Sequence, residues 1–224
     1  MEQEIRVIHK QRKPYLNMLS EFLKSVLAGM CISLGGIAYL AAQNKIVGAL
    51  FFTVGLFMVL TMGLSLFTGK ICYCLENKPS YLLRCVLVWL GNLLGAVIMG
   101  YLIQLTRLDS LQSAVVEIAN TKLNDTWYSL FILGILCNIL IYVAVDGYKN
   151  NQTALGKYLS VFFGVSIFVL CGFEHCVADM FYFSFADAWS LKTLGYVLII
   201  TLGNTVGGLL FPLCKKLFNK EIAT

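Results

Sequence analysis

The chain has 224 residues, of which 58% are hydrophobic and only 13% charged, and its formal net charge is +5. A soluble domain carries about a quarter charged residues, so this composition excludes a soluble enzyme or binding module and indicates an integral membrane protein. The excess of positive charge implies no nucleic-acid partner, because Lys and Arg are scattered between apolar stretches and form no single basic segment.

In chain order, residues 1–21 read as a charged N-terminal segment, too polar for a secretory signal. Apolar stretches of about 20 residues, the length a helix needs to cross hydrocarbon, follow at 22–43, 46–67, 81–105, 127–146, 158–184 and 193–218, and 219–224 form a short tail. None alternates polar and apolar residues as a barrel strand does. The expectation is an all-α membrane protein with six transmembrane helices in one domain, 22–218. Most Lys and Arg, among them Arg6, Lys10, Arg12, Lys13, Lys70, Lys149 and Lys215, fall on the side shared by both ends; Lys45, Arg107, Lys122 and Lys192 fall on the other. By the positive-inside rule both termini are cytoplasmic, and the lipid bilayer is the chain's immediate surrounding.

Enzyme and metal chemistry have little to stand on. There are eight Cys and two His, whereas a zinc site takes about four such ligands at set spacing. No HExxH, P-loop or GxSxG occurs. The expectation is therefore no enzyme activity, no metal and no cofactor.

The chain repeats itself. LGNLLG at 90–95 returns as LGNTVG at 202–207, half a chain length later. Each copy closes a group of three spans, and an odd number of spans turns the second half upside down, the pattern of an inverted repeat with interrupted helices around a central site. The second span of each half carries such an interruption: SLFTGK at 65–70, and LCGFEHCVAD at 170–179. Gly172, Glu174, His175 and Asp179 sit where an uninterrupted span would be apolar. Ionisable groups at that depth cost a few kcal/mol each and usually face a transport path. Broken backbone is tolerated there only where protein buries it or a wet cavity satisfies it, and the exposed helix starts suit an anion.

LFTGK, WLGNLLGAV, GILCNILIYVAV, the run Cys171 to Phe181 and LGNTVGGLLF together resemble the formate/nitrite transporter family, which includes formate, nitrite and hydrosulfide channels; the likeness extends from about Phe22 to Phe218. The resemblance implies an aquaporin-like inverted repeat of three plus three helices with broken second and fifth helices, assembled as a homopentamer with a pore in each protomer. It implies a cell (inner) membrane location and a small monovalent anion, or its neutral acid, as the partner. Carried over by position, the pore residues are Thr68 and His175. Lys122 is a basic residue at the start of the fourth span, with Asn138 and Glu174 as its buried polar partners. The apolar constrictions are Phe52, Leu56 and Phe168 on one side and Leu66 with Ile141 on the other, and Phe67 is counted among the constriction residues as well. Ser65 stands where an acidic residue is common, and Asp179 where Asn is usual.

On this reading Lys122 and basic loops attract the anion, Thr68 and the N–H groups of the broken helices hold it, and His175 gives it a hydrogen bond or a proton. The competing expectation is a neutral small-solute channel of the water or glycerol type. Against it, the Asn-Pro-Ala pair is absent, since the three prolines are Pro14, Pro79 and Pro212.

Overall fold

A computed structural model describes residues 14–222. Arg6, Lys10, Arg12 and Lys13, with most of the N-terminal segment, lie outside the described residues. Every regular element among those described is helical: α1 Pro14–Ala41, α2 Lys45–Thr61, α3 Phe67–Ile71, α4 Tyr81–Gln104, α5 Gln112–Leu123, α6 Trp127–Asn150, α7 Ala154–Cys171, α8 Cys176–Phe185 and α9 Leu191–Ile222, with 3-10 turns at Cys74–Glu76 and Arg107–Leu111. Within these bounds α1, α4, α6, α7 and α9 are long and apolar enough to cross a bilayer. Their outward faces carry Leu83, Leu202 and many similar side chains, all exposed, as hydrocarbon solvent allows.

The apolar stretch at 46–67 is not one helix. α2 stops at Thr61 after 17 residues, Gly63 takes a positive φ of 63°, residues 64–66 are non-helical, and α3 starts at Phe67. The stretch at 158–184 behaves alike. α7 ends at Cys171, Gly172 caps it in the left-handed region at φ 70°, ψ 32°, and α8 begins only at Cys176. Glycine reaches that conformation without the Cβ clash other residues suffer. Hydropathy alone could not place these ends, because it reports transfer into hydrocarbon and is blind to backbone geometry.

Side chains start the helices. Asn44 accepts from the N–H of Ile46 and Val47, Thr126 from Ser129 and Thr153 from Gly156, each satisfying donors that a helix start leaves unpaired. α5 was not expected. At 12 residues, with Gln, Glu, Asn and Lys among them, it is too short and too polar to span, yet it delivers Lys122.

The repeated LGN motifs hold the non-helical links. The Asn92 side chain donates to the carbonyls of Ser25 (2.7 Å) and Ser65 (3.0 Å) and accepts from the Phe67 N–H (2.8 Å). Asn204 donates to the carbonyls of Gly134 and Glu174 (both 2.8 Å) and accepts from the Cys176 N–H (3.0 Å). Each asparagine ties the two ends of a link to a third helix. The flanking glycines permit the approach: a Cβ on Gly95 would lie 2.0 Å from the Val26 carbonyl oxygen, and one on Gly207 would lie 2.1 Å from that of Ile135.

Replacing either asparagine by Ala strips partners from one buried N–H and two carbonyls, at about 1–3 kcal/mol for each group left bare. Asn92→Ala and Asn204→Ala are therefore expected to lower the thermal unfolding midpoint by similar amounts. A drop confined to one of them would contradict their equivalence.

Candidate functional site

The two links bring Thr68 and His175 together at the centre of the protein. His175 is the N-cap of α8, and its Nδ1 accepts the Ala178 N–H at 3.2 Å. A ring nitrogen that accepts cannot also carry the proton, so this bond assigns the proton of the neutral imidazole to Nε2. Nε2 lies 3.0 Å from Thr68 Oγ1 and donates to it. The hydroxyl hydrogen of Thr68 is then free for another acceptor. Asn138 donates to the Thr68 backbone carbonyl at 3.2 Å. All three side chains are buried.

Aromatic rings frame the pair. The Phe168 ring stacks on His175, with centroids 5.6 Å apart and planes 15° apart, and Phe52 meets Phe168 edge-on at 5.9 Å. Beyond them opens a cavity of about 180 Å³ that also reaches Tyr39, Lys122 and Tyr182. A smaller cavity of about 80 Å³ is lined by Leu56, Leu66, Gly69, Lys70, Val145 and Lys149. Leu56 thus borders the smaller cavity with Leu66, although the sequence reading put it with Phe52 and Phe168. One helical turn separates Phe52 from Leu56 on α2, enough to set them on different cavities. Phe67 and Ile141 are buried and line neither cavity.

Lys122 does not open the fourth span. It sits in the last turn of α5, where the ammonium meets the Glu174 carboxylate and lies 2.9 Å from Asp179 Oδ1. Asn138, expected beside it, makes its hydrogen bonds to Thr68 and Cys72. The first link has its own charged group. Glu21 of α1 accepts from Ser65 (2.9 Å) and Arg84 (2.6 Å), with Lys70 at 3.7 Å. Near the smaller cavity Lys149 lies 3.5 Å above the Tyr73 ring. No cluster of three or more His, Cys, Asp or Glu that could hold a metal occurs among the described residues.

The expectation that helix-start N–H groups hold an anion meets an obstacle. Those of Phe67, Cys176 and Ala178 are already engaged by Asn92, Asn204 and His175. The Thr68 hydroxyl adds a side-chain donor beside the remaining helix starts. Sequence reading missed the roles of Asn92 and Asn204, although the repeated asparagine was the available signal, and noted Asp179 only as a departure without pairing it to Lys122.

The family profile described as formate/nitrite transporter matches residues 4–217. A formate channel of Haemophilus influenzae is 28% identical, over 94% of this chain and 88% of its own length. The nitrite transporter of Salmonella typhimurium is 30% identical, over 87% and 81%. A solved pentameric formate channel with formate bound superposes with a TM-score of 0.80 at 26% identity, covering 93% of this chain and 99% of that one. These relatives are channels and transporters, and this chain belongs to the formate/nitrite transporter family.

Proposed function

We propose that the protein conducts small monovalent anions of the formate, nitrite or hydrosulfide class through a pore that passes Thr68 and His175. The observation that carries this reading is the Thr68–His175 pair, a buried hydrogen-bonding couple at the meeting of two non-helical links, with one cavity reaching His175 and a second lined by Leu66 and Gly69, close to Thr68 in the chain. A wholly apolar barrier would offer a dehydrated anion nothing. Here the Thr68 hydroxyl, its oxygen holding the His175 Nε2–H, has its own hydrogen to offer an anion.

The architecture proposed with it is six spans in two inverted halves. α2 with α3 is the broken second span, and α7 with α8 the broken fifth. The matching bonds of Asn92 and Asn204 support this pairing. Both termini are assigned to the cytoplasm and the chain to the inner membrane, where Lys70, Lys149 and Lys215 fall on the basic side. A homopentamer is proposed from the likeness to the pentameric formate channel.

Energetics favour passage with a proton. Stripping water from an anion among Phe and Leu side chains has an effective cost of several kcal/mol. Protonating a carboxylate of ordinary pKa near 4 at pH 7 costs about 4 kcal/mol. Transport is therefore proton-linked, with His175 as the central group. With the bond from Ala178 intact, the ring donates to Thr68 and so leaves the Thr68 hydroxyl hydrogen for the anion. When that bond opens, Nδ1 takes up a proton and the ring has one to give.

Two substitutions test these roles in proteoliposomes loaded with formate. Asn caps helices well, so His175→Asn keeps the start of α8 while removing the exchangeable proton. Flux is expected to fall and its pH dependence to flatten, and an unchanged flux with an unchanged profile would end the role of His175. Thr68→Val keeps the shape and removes the hydroxyl. Loss of one hydrogen bond to an anion, about 1.5–3 kcal/mol, is expected to slow flux by at least about tenfold, whereas wild-type rates would show that Thr68 only packs.

A further inference from the structure

The Lys122 mouth of the pore holds more negative than positive groups. Among the described residues Lys122 on α5 is the one cation there, and it serves two carboxyl groups, Glu174 in the second link and Asp179 in the first turn of α8. Asp179 uses only Oδ1 for that contact, and Oδ2 is buried with no hydrogen-bond partner among the described residues. Both carboxyl groups line the 180 Å³ cavity that leads to His175. The other groups facing Asp179 are His175 beside Glu174, Tyr182 on α8, Tyr39 on α1, Cys137 on α6 and Cys176 at the start of α8. Phenols and thiols ordinarily lose their protons above neutral pH, so they leave the charge count of the cluster unchanged. With both carboxyl groups ionised the cluster bears one net negative charge. With a proton on one of them it is neutral.

We infer that Asp179 determines which form of substrate the Lys122 mouth admits, its carboxyl group closing that mouth to free anions when ionised and opening it when protonated. Two carboxyl groups a lysine apart in a buried site titrate as a unit, and the unpartnered Oδ2 is the atom placed to take the proton. No covalent step is involved: one proton binds and one is released. An anion enters while one carboxyl group holds a proton taken from solvent, and that proton returns to solvent when the group ionises again. This inference rests on the anion-pore reading above and adds to it a gate separate from His175. It also assigns Lys122 a different part. Its ammonium is spent on Glu174 and Asp179, so it balances the gate more than it draws anions in.

The test uses the full-length protein in proteoliposomes with formate as the probe, at several pH values between 5 and 8. Native flux is expected to rise as pH falls. Asp179→Asn fixes the mouth at neutral charge, so at pH 8 and low salt its flux should exceed the native rate by about tenfold, as expected for removing one unit charge near the ion's path, and the gain should shrink in high salt. In His175→Asn, whose profile is flatter by the part that belongs to His175, a smaller rise in flux as pH falls, due to Asp179, should remain. Equal flux and equal pH profiles for native and Asp179→Asn protein would overturn the inference. Should that variant fail to assemble, Asp179→Ser provides the same charge change, and infrared spectroscopy of native protein gives an independent reading. A protonated-carboxyl C=O band that grows as pH falls is expected, and its absence would overturn the inference without any variant. Were native protein to carry no formate at any pH, the transport reading would fail, while the infrared band would still decide the charge claim.

Discussion

Everything at the centre of this protein depends on two asparagine side chains. A helix interrupted in hydrocarbon leaves N–H and C=O groups bare, each costing several kcal/mol, so no link of this kind persists unless something satisfies it. Asn92 does so for the link before α3, and Asn204 for the link before α8. Each is a primary amide, with two N–H donors and one carbonyl acceptor, and so can serve carbonyls and an N–H at once. Gly95 and Gly207 bring the neighbouring backbones close enough for those bonds to form. With both links pinned, Thr68 and His175 meet at 3.0 Å.

The same arrangement explains why a histidine tolerates so dry a position. Its Nδ1 is occupied by the start of α8 and its Nε2–H by Thr68, so the neutral ring is satisfied on both nitrogens. The surrounding Phe52 and Phe168 rings exclude water without competing for those bonds. Charge is kept off the centre and placed at the two mouths, Lys122 with Glu174 and Asp179 at one, Lys70 and Lys149 at the other. The mouths differ in composition: the first holds two carboxyl groups and one lysine, and the second is basic. That contrast gives the two cavities opposite electrostatic character.

Much of this was legible in the sequence because membranes penalise polar residues so heavily. Thr68, Glu174 and His175 are conspicuous within apolar runs, and the repeated LGN points to the two asparagines that make matching bonds. Other features were hidden for physical reasons. The ends of α2 and α7 depend on glycine conformations at Gly63 and Gly172, which hydropathy does not register. α5 is polar and short, so nothing in periodicity separated it from a loop, and Lys122 was consequently misplaced onto the next span. The assignment of Leu56 to a cavity, and of Asn138 to Thr68 instead of Lys122, turns on which face of a helix meets which neighbour across long sequence separations. No local pattern encodes that.

The central claim is that a small anion, alone or with a proton, crosses at the Thr68–His175 pair. Its most direct measurement is the flux of formate, nitrite and hydrosulfide into proteoliposomes of the unmodified protein, compared with glycerol-driven swelling of the same vesicles. Rapid, saturable entry of at least one of the anions, faster at lower pH and without glycerol swelling, is the result expected. Glycerol swelling with no anion flux at any pH would contradict the account and make the pore a neutral-solute channel.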